Sequence, residues 1–495
     1  MERTISLIIL ICITSSTFSQ KVYEFNSTCQ QAYQEISKLK INSGLALVEK
    51  ARQQNPDNLV PLLLESYADF YTLFLNEDPV EYESRYPKFI KRIEALEAGP
   101  ETSPFHDYCI SMVRVQKAAV SIKFGKFWDG GWEFRRAFLL IKDNRKKFPT
   151  FSPNDLIYGA LQAVAGTIPK GYKWIASLLG MRGSVTEGMK TVQGFVNSND
   201  PWARVFFNEA AFIYPYLMFY IQNKKEEALA FTQQRKLDLV NNHLHAYMAA
   251  NLCINNKRSQ AAENIILGRN RSDEYLHTPV WDFELGYTHL YHLETQDAAR
   301  HFESFVNNFK GKFYVKDALQ KLSWCYLLQG NINKAAEIRK QVQQKGGTNS
   351  DADKQASRDA KEGKWPDILL LKARLLSDGG YGQDAAALLQ GKTENDFAGE
   401  VEKLEFNYRM ARINDDLGRY DDAIRYYIIT IKKGEHRKEY FAARAALQAG
   451  QICEARGQKA LAIQYYQQCL DMDDHEYKDS LDQRAKAGIA RCKGE

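Results

Sequence analysis

Glycine and proline are scarce in this 495-residue chain, at 30 and 13 residues, which excludes collagen-like and linker-rich architectures. Cysteine is scarcer still. The eight cysteines include no Cys-x-x-Cys pair, so neither a zinc ribbon nor a dithiol redox motif is encoded. Cys29, Cys109, Cys253, Cys325, Cys453, Cys469 and Cys492 stand far apart, mostly on apolar helical faces, and are expected as buried thiols rather than a disulfide framework. An excess of one charge is also lacking: the net charge of +5 is too small over this length to make nucleic acid the main partner. Phosphate-binding Gly-x-x-x-x-Gly-Lys-Ser/Thr loops, nucleophile elbows and His-Glu-x-x-His are absent, so no catalytic residue, cofactor or metal is expected.

What is present is a 44% hydrophobic, 26% charged composition led in aromatics by 27 tyrosines and 26 phenylalanines, enough to bury an extensive interior. The length exceeds one ordinary compact core, so several domains or one repeat array is expected. Residues 5–13 form an apolar run of signal-peptide length, and Thr17-Phe18-Ser19 offers small side chains at the third and first positions before a cut after Ser19. The expectation is an exported chain, periplasmic or in the cell envelope, whose mature form begins at Gln20.

The organising signal is a pair of small residues twelve apart inside helix-period segments. Ala32/Gly44, Gly125/Ala137, Ala249/Ala261, Gly286/Ala298, Ser323/Ala335, Ala373/Ala385, Ala411/Ala423 and Gly450/Ala462 all obey it. Two antiparallel helices joined by a short turn need small side chains where their axes cross most closely. Each pair therefore predicts a helical hairpin. From Ala228 onward the second members step by 33, 37, 37, 50, 38 and 39 residues, near the 34-residue period of one helix-turn-helix repeat class. Residues 404–432 carry the fullest pattern, with Ala411, Leu417-Gly418, Tyr420, Ala423-Ile424 and Tyr427 in order, and this resembles the tetratricopeptide repeat. The fold class is then all-α: tetratricopeptide-type hairpins stacked into a right-handed superhelix.

This divides the chain into a leader over 1–19, N-terminal helical repeats over 20–155, an apolar helical insertion over 156–200, central repeats over 201–340, a polar insertion over 341–364 and C-terminal repeats with a capping helix over 365–495. Within the apolar insertion, 156–181 reads as two short helices divided by Pro169-Lys170-Gly171, each well short of the roughly 20 residues that cross a bilayer. Burial against the inner wall of the repeats is expected for it, with peripheral membrane contact as the alternative. The polar insertion predicts a mobile loop at Gly346-Gly347 and then a solvated helix.

Tyr158-Gly159, Gly166, Pro169, Trp174, Leu179-Gly180, Gly183 and Gly188, followed by 281–286 (Trp-Asp-Phe-Glu-Leu-Gly) and by Lys364-Trp365 leading into Lys372-Ala373-Arg374, resemble the inclusion-body clearance family of tetratricopeptide proteins. That resemblance implies a non-enzymatic repeat protein associated with other proteins or with lipid-rich structures. The leader points to an exported bacterial relative.

Stacked hairpins create a concave wall, and positions four and eight places beyond the start of each first helix line it: Phe283, Tyr287, Trp324, Arg374, Tyr408 and Arg412. Aromatic rings give contact area at low entropy cost and arginines grip carboxylates with two prongs, so a protein or peptide partner is expected there. His289 and His292, three apart on one helix, could join His301 and Glu284 or Glu294 around a metal, but packing and surface roles are the expectation. Arg135, Arg136, Lys142, Arg145, Lys146 and Lys147 read as a solvated helix face.

Overall fold

The computed structural model describes residues 20–167 and 183–494. The leader and the segment 168–182, which includes the expected second apolar helix and its Pro169-Lys170-Gly171 break, lie outside the described residues. Those described are helices and short turns, and the extended pairing among them is an isolated parallel bridge between Val22 and Asn58. None of the described helices is long and apolar enough to cross a membrane.

The repeating hairpin is set by three positions, one of which the small-residue pattern alone does not reveal. Counting from a buried small residue on the first helix, the seventh residue on is left-handed and the twelfth is the small residue on the second helix. The eight triplets are Ala32/Leu39/Gly44, Ala118/Gly125/Gly130, Ala250/Lys257/Ala262, Gly286/Leu293/Ala298, Ser323/Gly330/Ala335, Ala373/Gly380/Ala385, Ala411/Gly418/Ala423 and Gly450/Gly457/Ala462. In all eight, the amide after the left-handed residue donates to the carbonyl five residues back, for example Arg419 N to Asn414 O and Gln458 N to Cys453 O, at 2.8–3.0 Å. This bond closes the first helix as a Schellman turn, and the donating residue is already the N-cap of the second.

Two of the sequence-derived pairs are therefore in the wrong register. Gly125 is the left-handed turn residue at φ +78°, and a Cβ added there would meet nothing within 4 Å, so the crossing belongs to Ala118 and Gly130. Ala261 is exposed while Ala262 is buried, which moves that pair to Ala250/Ala262. Elsewhere the crossings are tight: a Cβ on Gly286 would come within 2.7 Å of the Phe302 ring, and one on Gly450 within 2.6 Å of Tyr466.

By its internal contacts the chain forms two units, one of residues 1–71, 83–122 and 126–207 and one of 72–82, 123–125 and 208–495. In the first, Pro153–Gly166 and Val185–Val196 pack closely against each other, so the described part of the apolar insertion forms a packed helix pair. Gly159 and Gly188 let its two backbones meet, because a Cβ on Gly159 would lie 2.9 Å from the Gly188 carbonyl. The basic face 135–147 is solvated largely as expected, with exposed Lys146 paired to Asp143 at 3.3 Å.

In the second unit, Glu77 ties 72–82 in place by accepting from Lys123 Nζ at 2.6 Å and from the amides of Lys312 and Phe313 at 3.2 and 3.3 Å. The polar insertion differs from expectation. Its helix Asp351–Glu362 is packed rather than solvated, with Ala356 fully buried and Asp353 accepting from the amides of Tyr314 and Asp317 at 2.8 and 3.1 Å. Asp353 thereby caps the neighbouring helix Val315–Leu328 from outside it. All seven described cysteines are buried free thiols.

Candidate functional site

Along each first helix of the second unit, the residues two before, one after and five after the crossing residue share a face, as helical spacing requires. That face is one polar wall running from Val280–Tyr291 through Val315–Leu328, Ile368–Gly379 and Glu400–Asp416. It carries Glu284, Tyr287 and Tyr291, then Lys321 and Trp324, then Arg374 and Asp378, then Arg409, Arg412 and Asp416, with Leu371 in the core and Leu328 packed against it at the two remaining positions.

Four of the six sequence-derived lining residues, Tyr287, Trp324, Arg374 and Arg412, hold the position after the crossing and belong to this wall. Trp324 is almost fully buried beneath Lys321 Nζ, 4.3 Å from its ring centre, and the Arg374 guanidinium, 5.4 Å away. The other two sit three residues before the crossing and turn into the next hairpin. Tyr408 is 0% exposed, so it is a core residue rather than a lining one. Phe283 packs on Phe305 and Tyr314 at 5.0 and 5.4 Å between ring centres.

One end of the wall is cationic. Arg374 lies 3.5 Å from Asp378, Arg409 donates to Glu405 at 2.7 Å, and Lys257 bonds Asp416 across 159 residues. Among the described residues, Arg412, Arg444, Arg484 and Lys225 have no carboxylate within ion-pairing distance, and sequence reasoning found only the first of them. Lys225 comes from the N-terminus of Lys225–Gln234 and Arg484 from Lys478–Lys493, so only the fold brings them together. Their ionisation records the crowding. Burial first, then the charges of Arg484, Lys257, Arg412 and Arg444, holds the Lys225 ammonium below its ordinary value. Burial would raise the Tyr408 phenol, but Arg444, Arg412 and Arg409 together outweigh it and pull it down. Four cations gathered without a direct ion pair, with Asp416 and Asp378 acting on Arg412 only at longer range, leave this end of the wall suited to an anion.

The other end is phenolic and acidic. Glu284 is 3% exposed and its hydrogen-bond partner is neutral, Asn251 Nδ2 at 2.9 Å from Oε1. Burial pushes its carboxyl up to about 7. Tyr287 donates to Asp317, whose other oxygen pairs with Lys321 at 2.9 Å.

The histidines lie together, His289 and His301 stacked with ring centres 5.4 Å apart, but they pair with different carboxylates. His289 and His292 reach Glu294 through Nδ1 at 2.6 and 3.0 Å, while His301 pairs with Asp282 at 2.7 Å. His289, Glu294 and Asp297 bring their ligand atoms within 4.8 Å of one another, whereas Glu284 faces Asn251 instead.

These hairpins, each closed by the same turn, define a helical-hairpin repeat protein. Residues 408–476, the hairpin pair richest in the sequence pattern, match the tetratricopeptide repeat family. Among solved structures, the P58(IPK) TPR domain aligns at 11% identity and a TM-score of 0.23 over 87% of this chain and 97% of that one. No curated protein matches the chain. Tetratricopeptide repeats serve in general to bind other proteins, and the fold is typically a non-catalytic scaffold.

Proposed function

We propose that this chain is a non-enzymatic scaffold that binds a polypeptide along the polar wall of its second unit, with an acidic stretch of the partner against Arg412, Arg444, Arg484 and Lys225. The observation that carries the reading is the gathering of those four cations without carboxylate partners. Unpaired charge of one sign among crowded neighbours is costly, and a partner's carboxylates relieve it while gaining charge-assisted hydrogen bonds. The leader-like residues 5–13 support a working place outside the cytoplasm, as an adaptor in envelope assembly or quality control by an exported relative of the inclusion-body clearance proteins.

A fluorescein-labelled deca-glutamate peptide tests the charge reading. Wild type should bind it, more weakly at 300 than at 50 mM salt, as expected of charge-driven contact. Arg444→Glu with Arg484→Glu should weaken binding tenfold or more while circular dichroism is unchanged. Equal binding by the double variant would overturn the assignment. Arg374 is unsuited to such a reversal, because glutamate there would set two like charges against each other at Asp378.

A further inference from the structure

Glu284 is the least explained charge in the second unit: buried to 3% exposure, bonded to a neutral amide, and without a cation. Most buried carboxylates in this unit have partners that account for them. Asp317 has Lys321 at 2.9 Å, and Asp353 has two backbone amides. Its neighbours are phenols instead: Tyr287 one turn along the same helix, and Tyr220 through the shared Asn251 amide.

Tyr216 and Tyr220 lie with their rings nearly parallel, 13° apart and 5.9 Å between centres, and Tyr220 donates to Asn251 Oδ1 at 3.3 Å, the amide that also holds Glu284. Burial first, and the Glu284 charge among the further causes, raises the hydroxyls of Tyr216, Tyr220, Tyr247, Tyr287 and Tyr314 above their ordinary range, so all five stay neutral. Two of them remain open to solvent, Tyr220 at 55% and Tyr314 at 42% exposure.

Both open tyrosines occupy irregular backbone. Tyr220 lies in a π-helical turn, Leu217–Ile221, where the hairpin-closing bond runs one residue further back, from Lys224 N to Met218 O. Tyr314 is left-handed at φ +61°, a conformation that costs a non-glycine residue and persists only where its surroundings hold it. Such departures cluster at ligand sites. Ring faces carry negative potential, and phenols around an uncompensated carboxylate form the environment that attracts an ammonium or guanidinium.

We propose that this cage of Tyr216, Tyr220, Tyr247, Tyr287 and Tyr314 around Glu284 receives a lysine or arginine side chain of the bound polypeptide. The inference rests on the polypeptide-binding reading above and deepens it: a ligand carrying a cation at one end and acidic residues at the other would lie along the wall in one direction only.

A displayed library of random twelve-residue peptides, selected on the full chain, tests it. Recovered peptides should carry lysine or arginine at a fixed spacing from their acidic residues. A synthetic copy of the best one should bind wild type at least tenfold more tightly than its lysine-to-norleucine (or arginine-to-citrulline) form, and that advantage should vanish on Glu284→Gln and shrink severalfold on Tyr220→Leu. Peptides sharing only an acidic run, or an advantage equal on wild type and Glu284→Gln, would overturn the cage and leave the polypeptide-binding reading standing. Recovery of no peptide would overturn both.

Discussion

At the scale of single residues, Glu284 makes a claim about stability as well as binding. Its ordinary value is 4.5 and its folded value about 7, so between those pH values the native state holds a proton that the unfolded chain has released. The contribution of Glu284 to stability should fall as pH rises through that window and level off above it. The surrounding phenols, pushed upward, do not titrate there. Glu284→Gln keeps the shape without the charge. Urea unfolding should show the variant equal to wild type near pH 4.5 and more stable at pH 8, by at most ~3.5 kcal/mol, because each tenfold change in proton affinity is worth about 1.4 kcal/mol. A difference between variant and wild type that stays flat over this range would place the charge elsewhere, since the wild-type profile alone also carries the opposite slope of buried His245. Sequence reading met this residue only as a possible metal ligand beside His289 and His292. Its neighbour in space is Asn251, 33 positions away on another hairpin, and nothing in local spacing announces that.

At the scale of the helical hairpin, much of the architecture was legible because close crossing demands small side chains, and small side chains are visible in a sequence. The two register errors have physical causes. Ala249-Ala250 faces Ala261-Ala262, two doublets that satisfy a twelve-residue offset in either of two ways, and only burial chooses between them. Gly125 is small for a different reason, since it supplies a left-handed turn. The crossing itself yields a prediction. Tyr466 is held between Gly450 and Gly488, where added Cβ atoms would come within 2.6 and 2.5 Å of its ring. Gly450→Val should therefore cost about 1–3 kcal/mol by overpacking, while Lys354→Ala, removing only an exposed pair with Asp351, should change stability by less than about 0.5 kcal/mol. Thermal melts of both against wild type decide it. A valine variant that melts with wild type would mean this crossing is looser than its geometry.

At the scale of the second unit, the wall shows what a sequence hides. Position after the crossing could be counted, so Tyr287, Trp324, Arg374 and Arg412 were found. Their electrostatic meaning could not be counted, because it depends on partners from remote segments, as when Lys257 takes the direct ion pair with Asp416 and leaves Arg412 the longer-range pull of Asp416 and Asp378. Tyr408 was misplaced because a shift of four positions along the helix, from one after the crossing to three before it, changes an inner face into a hairpin contact.

The turn that closes each hairpin has a kinetic consequence. In the eight triplets the closing bond joins residues five apart, and the crossing it enforces joins residues twelve apart, so most of the ordering of each hairpin is completed locally. Chains with short-range contacts fold quickly and in pieces, and neighbouring pieces then stabilise each other across their shared faces. Unfolding should accordingly be stepwise. Hydrogen exchange on the full chain should show Lys478–Lys493, which has a neighbour on one side, opening at lower free energy than Glu400–Asp416, flanked on both, with each hairpin exchanging as a block. One cooperative opening shared by all helices would contradict this. A ligand laid along the wall touches several such blocks at once and would act as a splint, coupling their openings, so that occupancy of the wall becomes readable as a rise in cooperativity far from any single contact.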